Sequence, residues 1–219
     1  AHMNALRVWG GGLREKRAFY DLCDEMGLLL WQEFPVACAF LTRYPRAKAY
    51  LDLLESEGRA IVRGLRNHPC LALWCGGNEY DPRRHHELVA RLRTAAQQED
   101  GTRAFRPASP GRGDVHNWNV WHGSAPVTAY ISPALTRRCQ IASEYGLQAP
   151  PSADALRAFL PADELWPPGP AWETHNAQLS LLTRYAGPFL RRAGRERTRL
   201  EDTTLEAFVD AAQRAQAMG

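Results

Sequence analysis

Apolar runs and amphipathic stretches alternate along the first half of this 219-residue sequence. Strand-like apolar segments occur at 4–9, 28–34 and 70–74. Between them, 15–26 and 46–66 place apolar side chains on one helical face, and Gly27 is positioned to end the first helix. Short apolar strands separated by amphipathic helices are typical of a parallel sheet covered by helices.

The second half of the sequence has a less regular pattern. A third helix is expected from Pro82 to about Gln98, because proline is favoured in the first turn of a helix. Weaker strand patterns follow at 103–110, 113–123 and 138–146, and helical patterns at 152–160, 173–192 and 203–218. Neither a repeat nor a low-complexity linker interrupts this order. We therefore predict a single α/β domain over 4–219 and interpret residues 1–3 as a cloning remnant.

The charge and hydropathy of the sequence argue against two classes of partner, nucleic acids and membranes. The net charge is only +3, and arginine clusters without interleaved aromatic residues occur at 83–84, 137–138, 191–192 and 195–199. Such clusters are typical of solvated helix faces and loops, so we expect no nucleic-acid partner. No apolar stretch approaches the length of a membrane-spanning helix, and we expect no membrane partner.

The five cysteines show no spacing of a disulfide framework. Most lie in or beside apolar runs, which fits buried free thiols in a reducing compartment and favours a cytoplasmic location. His68, Cys70 and Cys75 would suggest a zinc site, but no second pair of ligands follows at metal spacing. We therefore expect no zinc site at these residues.

Polar and aromatic residues follow the ends of the predicted strands. They are Arg7, Trp9, Trp31, Gln32, Asn78, Glu79, His116, Trp118, Trp121 and Glu144. In a parallel sheet or barrel the carboxyl ends of the strands share one face, and in a (β/α)8 barrel that face carries the active site. The pattern predicts that these side chains gather at one mouth.

Two of these strand ends carry a glutamate. Glu79 and Glu144 in an aromatic-lined pocket would suit glycoside hydrolysis, in which one carboxylic acid protonates the leaving oxygen and the other carboxylate attacks the anomeric carbon or activates water. Tryptophan rings suit the apolar faces of sugars. However, a glutamate at a strand end is more often a solvated or capping residue, and tryptophans more often pack in cores. The pattern alone leaves both interpretations open.

Five segments, in order, strengthen the first interpretation. They read NALRVWGGG (4–12), FYDLCDEMGLLLWQEF (19–34), RNHPCLALWCGGNE (66–79), GDVHNWNVWHG (113–123) and SEYGLQAPPS (143–152). Together they resemble the catalytic barrel of glycoside hydrolase family 2 in its β-mannosidase branch, across essentially the whole chain. The resemblance implies a retaining, exo-acting β-glycosidase with a carbohydrate substrate, which needs no metal or organic cofactor.

The resemblance also implies roles for individual residues. Glu79 matches the general acid/base, and Glu144 matches the nucleophile. Asn78 matches an asparagine that contacts the 2-hydroxyl of the sugar, and Arg7 an arginine that keeps the nucleophile ionised. The remaining substrate-binding candidates are Trp9, Trp31, Gln32, His116, Trp118 and Trp121.

The chain departs from the family pattern in two ways. Glu33 stands where the family commonly has aspartate, and Gly77 where it often has a second asparagine. The segments also match barrel strands two to seven, so we predict an incomplete (β/α)8 barrel that self-associates through open edges. One alternative is a truncated, catalytically incompetent glycosidase fragment or a weak carbohydrate-binding remnant. Another is an enzyme acting on a β-glucosaminide or β-galactoside.

Overall fold

The computed structural model describes residues 3–39, 42–131, 140–190 and 200–219. The chain forms two compact units, here called the N-terminal unit, which ends at Asp114, and the C-terminal unit, which begins at Val115. Several predicted features lie outside the described residues: the arginine clusters at 137–138, 191–192 and 195–199, Cys139, and parts of the strand at 138–146 and of the helix at 173–192.

The N-terminal unit is a four-stranded parallel sheet whose strands alternate with helices along the chain. The strands pair in sequence order and are β1 (Ala5–Val8), β2 (Leu29–Glu33), β3 (Leu71–Cys75) and β4 (Ala104–Arg106). The connecting helices are α1 (Arg17–Met26), α2 (Lys48–Leu65) and α3 (His86–Glu99). This order confirms the α/β alternation that the hydrophobic pattern predicts for the first half of the sequence.

The core of the N-terminal unit lies between the sheet and its helices. Phe34 and Trp74 stack with ring centroids 5.6 Å apart, and both are fully buried. Tyr20 brings α1 onto the same cluster. Gly27 adopts the left-handed conformation (φ 68°) that ends α1, and the Leu28 N–H donates to the Cys23 carbonyl at 3.0 Å. The glycine therefore turns the chain directly into β2.

A hydrogen-bonded cluster joins α1 to the amino end of β3. One Asp24 carboxylate oxygen accepts from the Cys70 N–H at 2.7 Å, and the other lies 2.6 Å from His68 Nδ1. Burial raises the pKa of Asp24, but the hydrogen bonds from Cys70 and His68 together outweigh it, so this pKa lies below its ordinary value. The carboxylate thus fixes the loop that leads into β3.

Replacing Asp24 with asparagine should lower the free energy of unfolding by about 1–3 kcal/mol at neutral pH, because the buried Cys70 N–H and the imidazole lose a charged acceptor. A lowered folded-state pKa stabilises the fold above the unfolded pKa of about 3.9, and this stabilisation is lost as pH falls through the folded pKa. The difference between wild type and Asp24→Asn, measured by urea unfolding, should shrink below about pH 4. Glu25→Gln, an exposed change on the same helix, is the matched control; an equal loss in both variants would contradict the account.

In its described residues, the C-terminal unit combines two strands with a helical layer. Its strands, which pair with each other, are β5 (Asp114–Asn117, whose first residue belongs to the N-terminal unit) and β6 (Ile141–Tyr145). Its helices are α4 (Ala153–Phe159), α5 (Ala162–Leu165), α6 (Pro170–Thr174), α7 (Leu179–Leu190) and α8 (Leu205–Met218). Short 3₁₀ helices cover Val127–Ile131 and Leu200–Asp202. Phe208 on α8 is fully buried against Trp166 and Trp172.

One helix prediction in this unit is wrong in its described part. The pattern at 173–192 predicts a single helix, whereas the structure has α6 and α7 with a turn between them. Asn176 takes the left-handed conformation there (φ 59°), which a helix interior does not accommodate. Asparagine tolerates that conformation better than most residues. The helix is therefore interrupted by the backbone conformation of one residue, and not by a change in the period of the hydrophobic pattern.

None of the helices in the described part of the chain combines the length and the apolar character that a membrane crossing requires.

Candidate active site

The carboxyl ends of the N-terminal strands collect most of the predicted polar residues of that unit. Register places Arg7 on β1 opposite Trp31 on β2, and Glu33 at the end of β2 opposite Cys75 on β3. Asn78 and Glu79 follow β3. The parallel arrangement therefore brings an arginine, two glutamates and an asparagine to neighbouring strand ends.

Glu33, which the sequence marks only as a departure from the aspartate common in the family, anchors this group. Its side chain is fully buried, and Oε1 accepts from Arg7 Nε at 2.8 Å while Oε2 accepts from the Gly10 N–H at 2.8 Å. Arg7 also donates from Nη2 to Asn78 Oδ1 at 2.6 Å. The Glu33 carboxylate thus holds the guanidinium in place, and the guanidinium orients the Asn78 amide.

Replacing Glu33 with alanine should lower the free energy of unfolding by about 3–5 kcal/mol, because the largely buried guanidinium of Arg7 loses its counter-ion. Urea unfolding measures the loss, and Glu57→Ala, an exposed change in α2, is the control. The double variant Arg7→Met with Glu33→Leu should recover part of the loss, since it removes both charges. A Glu33→Ala variant as stable as Glu57→Ala would show that the pair does not hold the site.

Backbone hydrogen bonds fix the segment that carries Asn78 and Glu79. The Asn78 N–H donates to the Val36 carbonyl at 2.8 Å, and the Glu79 N–H donates to the Ser109 carbonyl at 2.6 Å. A Cβ on Gly77 would lie 2.1 Å from the Val36 carbonyl oxygen, so no larger residue fits without a backbone shift. Glu79 itself has φ 49°, a left-handed conformation that is uncommon outside glycine and is found at functional sites.

The other predicted residues of this unit have different surroundings. Gln32 is buried, accepts from the Tyr20 hydroxyl at 2.7 Å and donates to the Glu33 carbonyl at 2.8 Å. Two guanidinium groups lie over the Trp31 ring, that of Arg7 5.8 Å and that of Arg106 5.4 Å from the ring centroid. The Trp31 Nε1–H is buried and has no hydrogen-bond partner among the described residues.

Trp9 is placed apart from this buried group. It is 46% exposed and lines an open cleft of about 390 Å³ beside β1, together with Leu6, Leu13 and Phe19. The indole is therefore available to a ligand, whereas the polar groups of Gln32 are satisfied within the protein.

The second predicted glutamate lies on β6 in the C-terminal unit. Glu144 Oε2 is 3.3 Å from His116 Nδ1, and both side chains are largely buried. Trp118 and Trp121 pack edge to face with ring centroids 5.6 Å apart. They line a cleft of about 330 Å³ with Tyr130, Tyr145, Gly146 and Leu147. This unit therefore combines an imidazole-paired carboxylate with an aromatic cleft.

Gly146 lies against both tryptophans, although the space there would accept a Cβ in ordinary van der Waals contact. A Cβ on it would lie 3.5 Å from Trp118 and 3.9 Å from Trp121. The Tyr130 hydroxyl donates to the Gly146 carbonyl and accepts from the Gly146 N–H at 3.1 Å. The chain after Glu144 is consequently held against the aromatic wall of the cleft.

The three residues that the sequence suggested as zinc ligands do not form one cluster in the structure. His68 and Cys70 lie with Asp24, their potential ligand atoms within 4.8 Å of one another, whereas the Cys75 thiol donates to the Gly77 carbonyl at 3.5 Å. Burial, followed by the neighbouring Asp24, raises the pKa of Cys70 to about 12. Both carboxylate oxygens of Asp24 already have partners, the Cys70 N–H and the His68 ring, so the contacts of this cluster fit a structural role.

No family model matches the chain. Its similarity to curated proteins and to a solved structure nevertheless points to the β-mannosidases. The β-mannosidase of Bos taurus is 32% identical over 82% of this chain and 24% of that protein, and β-mannosidase B of Thermothelomyces thermophilus is 32% identical over 71% and 22%. The crystal structure of the β-D-mannosidase of Dictyoglomus thermophilum matches with a TM-score of 0.81 and 32% identity, over 98% of this chain and 28% of that one.

The chain thus spans about a quarter of the length of the curated relatives it matches. A β-glucuronidase of an uncultured Clostridium species matches with a TM-score of 0.55 and 14% identity, which concerns the fold alone. The resemblance inferred from the five sequence segments is confirmed. The chain is a β-mannosidase-like domain of glycoside hydrolase family 2.

Proposed function

We propose that the chain is the catalytic region of a retaining exo-β-mannosidase that hydrolyses terminal β-linked mannose. The observation that carries the proposal is the buried Glu33–Arg7–Asn78 array at the strand ends, directly before Glu79 in its left-handed conformation. A structural role would not require the chain to present a carboxylate in a disfavoured conformation beside a satisfied polar network. We propose mannose as the sugar because the relatives are named as β-mannosidases.

The proposed reaction has two steps. The Glu144 carboxylate attacks the anomeric carbon, and the bond to the leaving oxygen breaks as Glu79 gives that oxygen its proton. Water then loses a proton to Glu79 and attacks the same carbon, which releases mannose and frees Glu144. Retention by this route requires the two carboxyl groups to lie about 5–5.5 Å apart when substrate is bound.

The contacts within each unit support these roles. Arg7 occupies Asn78 Oδ1, and one N–H of Nδ2 donates to Cys38 Sγ, so the second N–H of Nδ2 is the donor proposed for a sugar hydroxyl. His116 beside Glu144 supplies a polar partner that orients the nucleophile. Trp118 and Trp121 supply apolar surface for the faces of a pyranose ring.

We further propose that the strands belong to a (β/α)8-type barrel, in which they correspond to strands two to seven. The outer edge of β1 has no pairing strand in the described part of the chain. Exposed backbone groups at such an edge favour pairing with another chain. Self-association through this edge therefore stays a prediction, which sedimentation over a concentration series tests.

A substrate panel tests the proposed function. The chain should hydrolyse an aryl β-mannoside faster than the matching β-glucoside, β-galactoside and β-glucosaminide, and the liberated mannose should be the β-anomer when first formed. The Dictyoglomus thermophilum enzyme serves as the positive control. A preference for another sugar would support that alternative substrate. Binding of mannose-configured inhibitors without any turnover would support the fragment interpretation.

A further inference from the structure

Cys38 lies beside the proposed general acid in the N-terminal unit. The residue is exposed and adopts the left-handed conformation (φ 60°), as Glu79 does. Its N–H donates to the Asn78 carbonyl at 2.9 Å, and the preceding Ala37 carbonyl accepts from the Tyr44 hydroxyl at 2.7 Å. The loop that carries the thiol is therefore fastened to the segment that carries the acid.

The thiol connects two residues of the candidate site. Asn78 Nδ2 donates to Cys38 Sγ at 3.6 Å, and Cys38 Sγ donates to Glu79 Oε2 at 3.8 Å. Because Arg7 Nη2 occupies Asn78 Oδ1, the Asn78 amide is held with its NH₂ group towards the sulfur. Each group in this chain of hydrogen bonds donates to the next: the guanidinium to the amide, the amide to the thiol and the thiol to the carboxyl group. A thiol is a weak donor, and its hydrogen bond is stronger when the acceptor is ionised.

We propose that Cys38 is a positioning residue for Glu79: its thiol, polarised by Asn78, holds the carboxyl group in the orientation from which it transfers a proton. The effect of Cys38 on catalysis rests on the proposed function, whereas the contact between the thiol and the carboxylate does not. One experiment tests the contact, and a second tests the effect on catalysis.

The first experiment uses the accessibility of the thiol. The other described cysteines are buried: burial raises the pKa of Cys23 above its ordinary value, and burial is the largest cause of the rise to about 12 for Cys70 and Cys75. In a Cys139→Ser background, iodoacetamide should therefore react fastest at Cys38. Peptide mass spectrometry identifies the alkylated residue.

The alkylation rate then reports the charge of Glu79. When Glu79 is ionised, its carboxylate about 4 Å away disfavours the reactive thiolate, so Glu79→Gln should raise the rate about fivefold at the alkaline end of a pH series and at low salt. Asp81→Asn removes an exposed carboxylate two residues further on and is the matched control. A Glu79→Gln rate equal to that of wild type, or no faster than that of Asp81→Asn, would overturn the proposal.

The second experiment measures catalysis in Cys38→Ala and Cys38→Ser. Loss of the donor should lower kcat about tenfold for an alkyl mannoside, which needs protonation of its leaving group, and much less for an activated aryl mannoside, with KM little changed. Serine retains a hydroxyl donor and should restore most of the rate. Equal losses for both variants and both substrates would indicate a structural role and overturn the proposal. If wild type has no turnover, the proposed function fails, and the alkylation rates alone decide whether the contact exists.

Discussion

Replacing Glu144 with alanine should lower kcat for every β-mannoside by a factor on the order of 10⁵, whatever the leaving group. The carboxylate would be the nucleophile of the first step, and no other group could form the glycosyl ester in its place. Its position on β6, 3.3 Å from His116, motivates the assignment. Turnover of an alkyl and an activated aryl mannoside measures the effect.

Glu144→Gln is the control for this prediction, because it keeps the shape and a polar partner for His116 but cannot act as the nucleophile. Both variants should lose activity to the same extent. Activity retained in Glu144→Gln would place the nucleophile elsewhere.

Replacing Glu79 with alanine should affect substrates unequally. The rate should fall by about 10²–10⁴ for a poor leaving group, which must be protonated as it departs, and far less for an activated aryl group. Azide should restore the second step by attacking the glycosyl-enzyme without general-base help, and the product should be the β-mannosyl azide. Rates with and without azide, and the configuration of the azide product, measure these effects.

Asp81→Ala, an exposed carboxylate on the same segment, controls for a general loss of negative charge and should leave the rates unchanged. Azide rescue in the Glu144 variant, with the product inverted and with no rescue of Glu79→Ala, would require the two roles to be exchanged.

The alternation of strands and helices in the N-terminal unit could be predicted because burial on both faces of a parallel strand leaves a strong signal. The runs that become β2 and β3 are apolar because helices cover the sheet. The break between α6 and α7 has no such signal, since it depends on one residue in a left-handed conformation. The hydrophobic period continues through that break.

The candidate site was predictable only in part for a related reason. Strand ends mark where polar side chains emerge, which located Asn78, Glu79 and Glu144. The contacts that organise them join residues far apart in the chain: Glu33 binds Arg7, 26 positions away, and Cys38 meets Glu79, 41 positions away. Nothing in the local pattern distinguishes a buried anchoring glutamate from a solvated one.

The most direct test of the account is to identify the residue that carries the glycosyl group. Incubation of the chain with 2-deoxy-2-fluoro-β-mannosyl fluoride should release fluoride and leave a fluorosugar ester, because the fluorine at carbon 2 slows the hydrolysis of the second step. Mass spectrometry of the digested protein should place the ester on Glu144, and Glu144→Gln should carry none. An ester on another residue, or turnover of the aryl β-mannoside with inversion and no trapped ester, would contradict the account.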